Sequence, residues 1–396
     1  MSSRPSQELK CCLDWYSPQQ VFSSDPFRAM TETKKRTRDL GLDHIRALAA
    51  FMVFSWHFLH YANGYPVPFE GAPSIFPLAL LDEGHTGVAL FMTLSGYLFA
   101  KILDGRSVNY LAFLSRRVTR LLPLLFAMLV VEGVREYVVG ADLVGYSRSL
   151  ATGLIEPTLP NGAWSLTVEF HFYLLLPLLL FLCRKSPALL FAAIFLALGL
   201  RTFLFIRNGT VFWPAYWTLA GRLDQFVFGI LAYHYRSMII RKHVLALVLG
   251  AVFCVFYYLF DRMGGFYRMP QYPSPSPIWI ILPTIEGAFF SALIAYYDGS
   301  FQHSRGLLSR FIAKIGKYSY SIYLWHFYVV FLMADFVQRH IMNISYYYIG
   351  QVWALLCFLA LVPFAFVSYQ IFEKPFMNVG LSYSRKTGPR QPSLVV

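Results

Sequence analysis

Ten apolar runs of helical-span length leave few folds open to this chain. The hydrocarbon core of a bilayer takes about 20 apolar residues in one helix. Candidate runs lie at 42–61, 85–104, 118–134, 166–183, 186–206, 213–234, 243–260, 277–297, 318–338 and 349–371. In lipid a backbone segment must satisfy its own polar groups, so these runs read as helices. The expected fold class is all-α: a polytopic transmembrane bundle of about ten helices. Composition agrees, with 57% hydrophobic and 14% charged residues, where soluble domains carry roughly a quarter charged. Stretches rich in Pro and Gly separate some runs, at 62–77, 156–163 and 264–277. No internal repeat stands out, which weighs against a repeat-built transporter.

The formal net charge of +13 could suggest nucleic acid as a partner, but the positions of the charges explain it more simply. The segments 1–41, 101–120, 184–185, 236–242, 298–317 and 374–396 hold 25 of the 34 Lys and Arg residues. The alternate segments 61–84, 135–165, 201–212, 261–276 and 339–348 hold 7, and Arg46 and Arg222 fall within runs. The positive-inside rule then places both termini in the cytoplasm. Asn208-Gly-Thr and Asn343-Ile-Ser match glycosylation acceptors, but they lie close to the membrane and a bacterial source is expected, so neither is expected to be used.

Three domains follow: 1–41, a partly disordered cytoplasmic N-terminal segment; 42–376, the membrane domain; and 377–396, a cytoplasmic tail with no further soluble domain expected. Translation could start at Met1 or Met30. The first 40 residues lack the apolar core of a signal peptide. Cys11 and Cys12 lie in the polar N-terminus, and Cys183, Cys254 and Cys357 lie in apolar runs. Their spacing suggests neither a disulfide framework nor a zinc site, and no metal is expected.

Polar groups inside apolar runs are the functional candidates, because each is costly to place in lipid. Arg46 and His57 are eleven residues apart, three helical turns plus 20°, and so share a face about 16 Å apart along the axis. Asp43 sits one turn before Arg46. Arg116, Arg117 and Arg120 form a cluster on the cytoplasmic side; positive-inside topology explains it, and so does a phosphate site, since guanidinium forks match phosphate oxygens. "WSLTVEFHFY" places Ser165, Glu169 and Tyr173 on one face, with Trp164 as an interfacial anchor. Glu169 and His57 are expected at similar depth. Gly87, Ser95 and Gly96 permit close helix packing. Arg222 and Asp224 share one run, where mutual pairing would lower the penalty of burial. Tyr323 and His326 lie inside the ninth run.

The stretches "LDHIRALAAFMVFSWHF", "GHTGVALFMTLSGYL", "RRVTRLLP", "WSLTVEFHFYLLLP", "GRLDQFVFGIL", "IGKYSYSIYLWHF" and "FEKPF", in this order over residues 42–376, resemble the acyltransferase-3 family of integral membrane O-acyltransferases. The resemblance implies a domain of ten or slightly more helices that moves acyl groups, usually acetyl from acetyl-CoA, to hydroxyls of sugars or related acceptors. The family's Arg-x10-His motif falls on Arg46 and His57. Its Arg-x-x-Arg motif falls on Arg117 and Arg120, and its Trp-Ser-Leu motif with a following Glu on Trp164, Ser165 and Glu169. His44 stands where a glycine is common, and Phe170 where a second acidic residue often follows.

On that resemblance His57, Glu169 and Arg46 are the catalytic candidates, with His57 as general base and Glu169 as its orienting partner. A transient acyl-histidine is the variant mechanism. Arg46, Arg116, Arg117 and Arg120 would bind the acyl donor. Asp43, Ser95, Trp164, Ser165, Tyr173, Arg222 and Asp224 would line the substrate pocket. No bound cofactor is expected; acetyl-CoA or another acyl-CoA enters as co-substrate, with a carbohydrate or glycolipid acceptor and membrane lipids as partners, in a bacterial inner membrane. Alternative readings are transfer of succinyl or another acyl group to a glycan, a proton-coupled transporter using His57, Glu169, Arg222 and Asp224, and a lipid-binding scaffold.

Overall fold

The computed structural model describes residues 39–61, 65–69, 73, 75–104, 106–378 and 384–386. Cys11, Cys12, Met30 and nearly all of the expected tail lie outside the described residues. The main helices are α1 (Leu40–Leu59), α2 (Gly87–Leu103), α3 (Tyr110–Val138), α4 (Leu143–Thr152), α5 (Trp164–Lys185), α6 (Leu189–Asn208) and α7 (Phe212–Trp217). They continue with α8 (Leu219–His234), α9 (His243–Arg262), α10 (Ile278–Ser300), α11 (Leu307–Lys317), α12 (Ser319–Phe336) and α13 (Tyr347–Ser368). Two short antiparallel pairings, His60–Tyr61 with Tyr65–Pro66 and Arg106–Val108 with Ser384–Lys386, are the exceptions to an all-α chain among the described residues.

Among the described residues, seven helices are long and apolar enough to cross a membrane. They are α2 with its preceding turn, α5, α6, α9, α10, and α12 and α13 with their following turns. Helices α1, α3 and α8 coincide with expected runs but fall outside that group. The first two carry ionisable residues, and α8 has only 16 residues. The expected run 213–234 is in fact two helices. The chain breaks at Thr218, which is extended (φ −115°, ψ 154°), and its hydroxyl caps α8 by accepting from the Gly221 N–H at 3.2 Å. A capping threonine supplies one of the acceptors that the first turn of a helix lacks. The loop before α3 is closed in the same way, by Asn109 accepting from Ala112 N–H at 3.1 Å.

Helix α1 lies inside the bundle. Leu42, Ala49, Phe54, Phe58 and Leu59 are 0% exposed. It packs against α2, α11, α12 and α13. A helix enclosed by its neighbours can carry Asp43, Arg46 and His57 because protein, not lipid, surrounds them. Helices α2 and α8 approach each other closely. A Cβ built on Gly96 would stand 2.0 Å from the Phe226 carbonyl oxygen, and one on Gly229 would stand 2.1 Å from that of Thr93. Both obstacles are backbone, so neither can swing away. This is the close packing that small residues permit between membrane helices.

Gly96→Ala should therefore force α2 and α8 apart at a cost of about 1–3 kcal/mol. Gly199→Ala, on an exposed stretch of α6 with nothing within 4 Å of the new methyl, should be neutral or slightly stabilising. Thermal unfolding midpoints in detergent check the contrast; equal midpoints for the two variants would contradict the packing.

Candidate active site

A cavity of about 140 Å³ lies among α1, α2, α3, α5, α8 and α12. Its polar wall consists of Arg46, Ser95, Arg117, Arg120, Ser165, Glu169, Tyr173, Ser319, Tyr320 and Tyr323, and Phe91, Met92, Phe99 and Phe226 are among its apolar lining. Residues from four sequence blocks expected to matter thus converge on one space. The first turns of α3 bring Arg117 and Arg120, one turn apart, to the same wall. The i, i+4 spacing on α5 does the same for Ser165, Glu169 and Tyr173.

Each arginine is held differently. Arg46 Nη1 donates to Asp43 Oδ1 at 2.7 Å, and Asp43 is 1% exposed. Asp43 therefore holds Arg46 in place, and it does not itself line the cavity. The Arg117 guanidinium stands 4.5 Å from the centroid of the Phe99 ring, a cation–π contact that keeps the fork flat against the wall. Arg120 Nη2 lies 3.9 Å from Glu373 Oε2, and its buried Nε has no hydrogen-bond partner among the described residues. A buried donor without an acceptor marks a place where a ligand's acceptor would be favoured. Arg116 does not line the cavity.

The Tyr173 hydroxyl donates to Glu169 Oε1 in a short contact. Glu169 and His57 do not hydrogen-bond, so the expected orienting pair is not formed. Tyr173, one turn along the same helix, is the nearer partner. Ser165 and Tyr323 both donate to the Gly162 carbonyl, at 3.2 and 3.0 Å. The turn before α5 is left-handed at Asn161 (φ 52°) and Gly162 (φ 79°). A Cβ at Gly162 would also meet the Phe327 ring at 2.6 Å, so both the backbone angle and the space require glycine there.

His57 does not line the cavity. It is half-buried on α1, its ring centroid 4.6 Å from Trp56, 4.5 Å from Phe327 and 5.0 Å from His326. Its Nδ1 donates to the Val53 carbonyl at 2.8 Å. Phe327 separates it from Gly162, and Tyr323, one turn before His326, belongs to the cavity wall. His57 is thus linked to the cavity wall only through these neighbours. His326 is the residue of this neighbourhood that the sequence reading did not place in the site. The signal was an ionisable side chain inside an apolar run.

Arg222 and Asp224 do not pair. Residues two apart on a helix point to different faces. Asp224 accepts from Arg201 Nη2 at 2.7 Å and from the Thr284 hydroxyl at 2.6 Å. Arg201, counted above with an outer loop, is 0% exposed within α6. Arg222 donates to Gln225 at 3.1 Å and to the Tyr216 carbonyl. Gln225 in turn donates to Glu286 at 2.8 Å. Asp224 thus ties α6, α8 and α10 together and does not reach the cavity, and neither do Arg222 and Trp164. The Arg222 guanidinium lies 4.2 Å from the Tyr216 ring and 5.8 Å from that of Trp164. Trp217, Phe266, Tyr267 and Tyr272 extend this aromatic patch. Burial pushes the Tyr267 hydroxyl up, with Tyr272 adding to the effect, so it stays a protonated donor at neutral pH.

Comparison with known proteins gives a consistent result. The family described as Acyltransferase domain, acyltransferase-3, matches residues 39–370. O-acetyltransferase OatA of Staphylococcus aureus strain MRSA252 is 25% identical over 405 residues, covering 90% of this chain and 61% of that protein. OatA of strain NCTC 8325 is 25% identical over 389 residues, covering 86% of this chain and 57% of that protein. A protein of strain COL whose O-acetyltransferase name is provisional is 24% identical over 403 residues, covering 89% and 60%. The chain spans about three fifths of the length of these relatives. No solved structure matches it.

Proposed function

This chain belongs to the acyltransferase-3 family, and from that premise we propose that it is a multi-pass membrane O-acyltransferase. In this reading it moves an acyl group, acetyl in the first instance, from acyl-CoA to a hydroxyl of a sugar or polysaccharide-type acceptor. The observation that carries the reading is the single cavity that gathers Arg46, Arg117, Arg120, Ser165, Glu169 and Tyr173. Three guanidinium groups around one narrow space suit a donor with phosphates and a long polar arm. The relatives named as O-acetyltransferases support an acetyl group as cargo.

The roles follow from position. Arg117 and Arg120 hold the donor's phosphate end. Arg46, fixed by Asp43, steadies the arm as it enters the bundle. Glu169 and Tyr173 supply a polar pair along its path. His57, linked to the cavity wall through its neighbours, is the base. Its Nδ1–H is committed to the Val53 carbonyl, so Nε2 carries the lone pair that takes a hydroxyl proton. The aromatic patch of Trp164, Tyr216, Trp217 and Tyr267 offers flat apolar faces beside a hydrogen-bond donor, which suits a hydroxylated ring as acceptor.

We further propose ten crossings, with α1 and α8 spanning in the interior of the bundle and α3 at its periphery, both termini cytoplasmic, and the cell membrane as location. The basic residues support this, and the buried position of Arg201 sharpens the bias by removing one charge from the outer side. Reporter fusions after residues 140 and 240 should report opposite sides of the membrane; the same side for both would contradict the topology.

Activity is tested with protein purified in nanodiscs, acetyl-CoA as donor and an oligosaccharide of N-acetylglucosamine as acceptor. Arg117→Ala and Arg120→Ala should each raise the KM for acetyl-CoA about tenfold or more, the loss of a charge-assisted phosphate contact of about 1.5–3 kcal/mol. His57→Gln should lower kcat by about 10²–10⁴ with donor affinity unchanged. Unaltered donor affinity in both arginine variants would remove them from the donor site. Turnover of His57→Gln within a few-fold of the parent would remove His57 as base.

A further inference from the structure

His326 lies on α12, one turn past Tyr323, and is 1% exposed. Its Nδ1 is 2.6 Å from the Tyr323 carbonyl oxygen. A carbonyl oxygen only accepts, so this nitrogen carries the hydrogen, and Nε2 is left as an acceptor. That acceptor faces His57 Nδ1 at 3.4 Å, and His57 is its one hydrogen-bond partner among the described residues. Two acceptors, Val53 O at 2.8 Å and His326 Nε2, therefore converge on the same nitrogen of His57.

Only one tautomer of His57 satisfies this arrangement. With the hydrogen on Nδ1, both acceptors share it in a forked bond whose shorter arm goes to Val53. With the hydrogen on Nε2, three lone pairs would face one another deep in the bundle with no donor among them, an arrangement that burial penalises. The ring contacts with Trp56 and Phe327 limit rotation about the axis that would exchange the two nitrogens.

We propose that His326 is a positioning residue for acyl transfer: with the Val53 carbonyl it fixes the hydrogen of His57 on Nδ1, presents Nε2 to the acceptor hydroxyl, and goes on accepting from Nδ1–H when Nε2 is protonated. The proposal rests on the reading of His57 as the base. In the step itself, the hydroxyl O–H bond breaks and its proton goes to His57 Nε2. The oxygen forms a bond to the thioester carbonyl carbon, the C–S bond breaks, and the CoA thiolate takes the proton from the imidazolium. During that interval His57 carries two N–H groups and a positive charge. The Nε2 of His326 then occupies the place that an orienting carboxylate holds beside a base histidine in other acyl-transfer sites. A neutral acceptor is the form of partner that a buried site tolerates without a counter-charge.

Two amide variants separate the nitrogens of His326. Asn places its amide N–H near the Nδ1 position and can still donate to the Tyr323 carbonyl, but it offers nothing toward His57. Gln reaches the Nε2 position with an oxygen that accepts. With acetyl-CoA as donor and the N-acetylglucosamine oligosaccharide as acceptor, His326→Asn should lower kcat by roughly 10–100-fold, the usual loss when an orienting partner is removed, with the KM for acetyl-CoA unchanged. His326→Gln should stay within a few-fold of the parent. Thermal midpoints of the two variants check that both fold. Equal activity of Asn and Gln, at whatever level, or a loss seen in donor KM alone, would overturn the proposal and leave His326 a packing residue. His57→Gln measured alongside separates the two claims. Parental turnover there defeats the base assignment itself, whereas an inactive His57→Gln with indistinguishable Asn and Gln variants defeats only His326.

Discussion

A polar atom inside a bilayer has no water to turn to, so its partner must come from the protein. The placement of α1 follows from that constraint. A helix with Asp43, Arg46 and His57 along its length cannot face lipid, and it is enclosed by α2, α11, α12 and α13. Once it is central, each of its polar groups takes a protein partner: Arg46 takes Asp43, and His57 takes the Val53 carbonyl and His326. The same constraint explains Asp224, which meets Arg201 and Thr284 from two other helices. Such pairs stabilise little on balance, but breaking one leaves an uncompensated charge at a cost of about 3–5 kcal/mol. They therefore fix which helices are neighbours.

The cavity is a consequence of this packing. Glycines at 96 and 229 draw α2 and α8 together until backbone meets backbone. Beside this contact on α2, Ser95 and Phe99 meet the arginines of α3 and the polar stripe of α5 around a space that no side chain fills. The arginines at that wall are steadied by an acid, by an aromatic ring or by a longer contact with Glu373. A site that must release its product benefits from donors held in place but not fully consumed by protein acceptors, and the Nε of Arg120, unpartnered among the described residues, is such a donor.

Much of this was legible in the residues. The apolar runs gave the helices, because span length is set by bilayer thickness and does not depend on the partner. The 3.6-residue period put Ser165, Glu169 and Tyr173 on the one face that lines the cavity, while of Arg46 and His57, expected to share a face, only Arg46 lines it. Contacts between distant runs were less legible. Asp224 was expected to meet its sequence neighbour Arg222, but the helix turns them apart, and Arg201, over twenty residues away, takes that place. The break at Thr218 was hidden because "YWTLAG" carries no charge and no proline, and one capping hydroxyl leaves little mark on hydropathy. His57 and Glu169 were expected at similar depth, but they make no contact, since the angle between helices does not follow from sequence. His326 was visible as an ionisable group in an apolar run, yet only the fold shows that its acceptor nitrogen points at His57.

The central claim is that an acyl donor threads this one cavity from the arginines of α3 to His57. The measurement that tests it most directly is a cryo-electron microscopy structure of the protein in nanodiscs with a non-hydrolysable thioether analogue of acetyl-CoA. The account predicts phosphate oxygens against Arg117 and Arg120, the pantetheine arm passing Arg46 and the Glu169–Tyr173 pair, and the acyl end beside Nε2 of His57. An analogue bound outside the cavity, or one whose acyl end lies away from His57 with the arginines still paired within the protein, would contradict it.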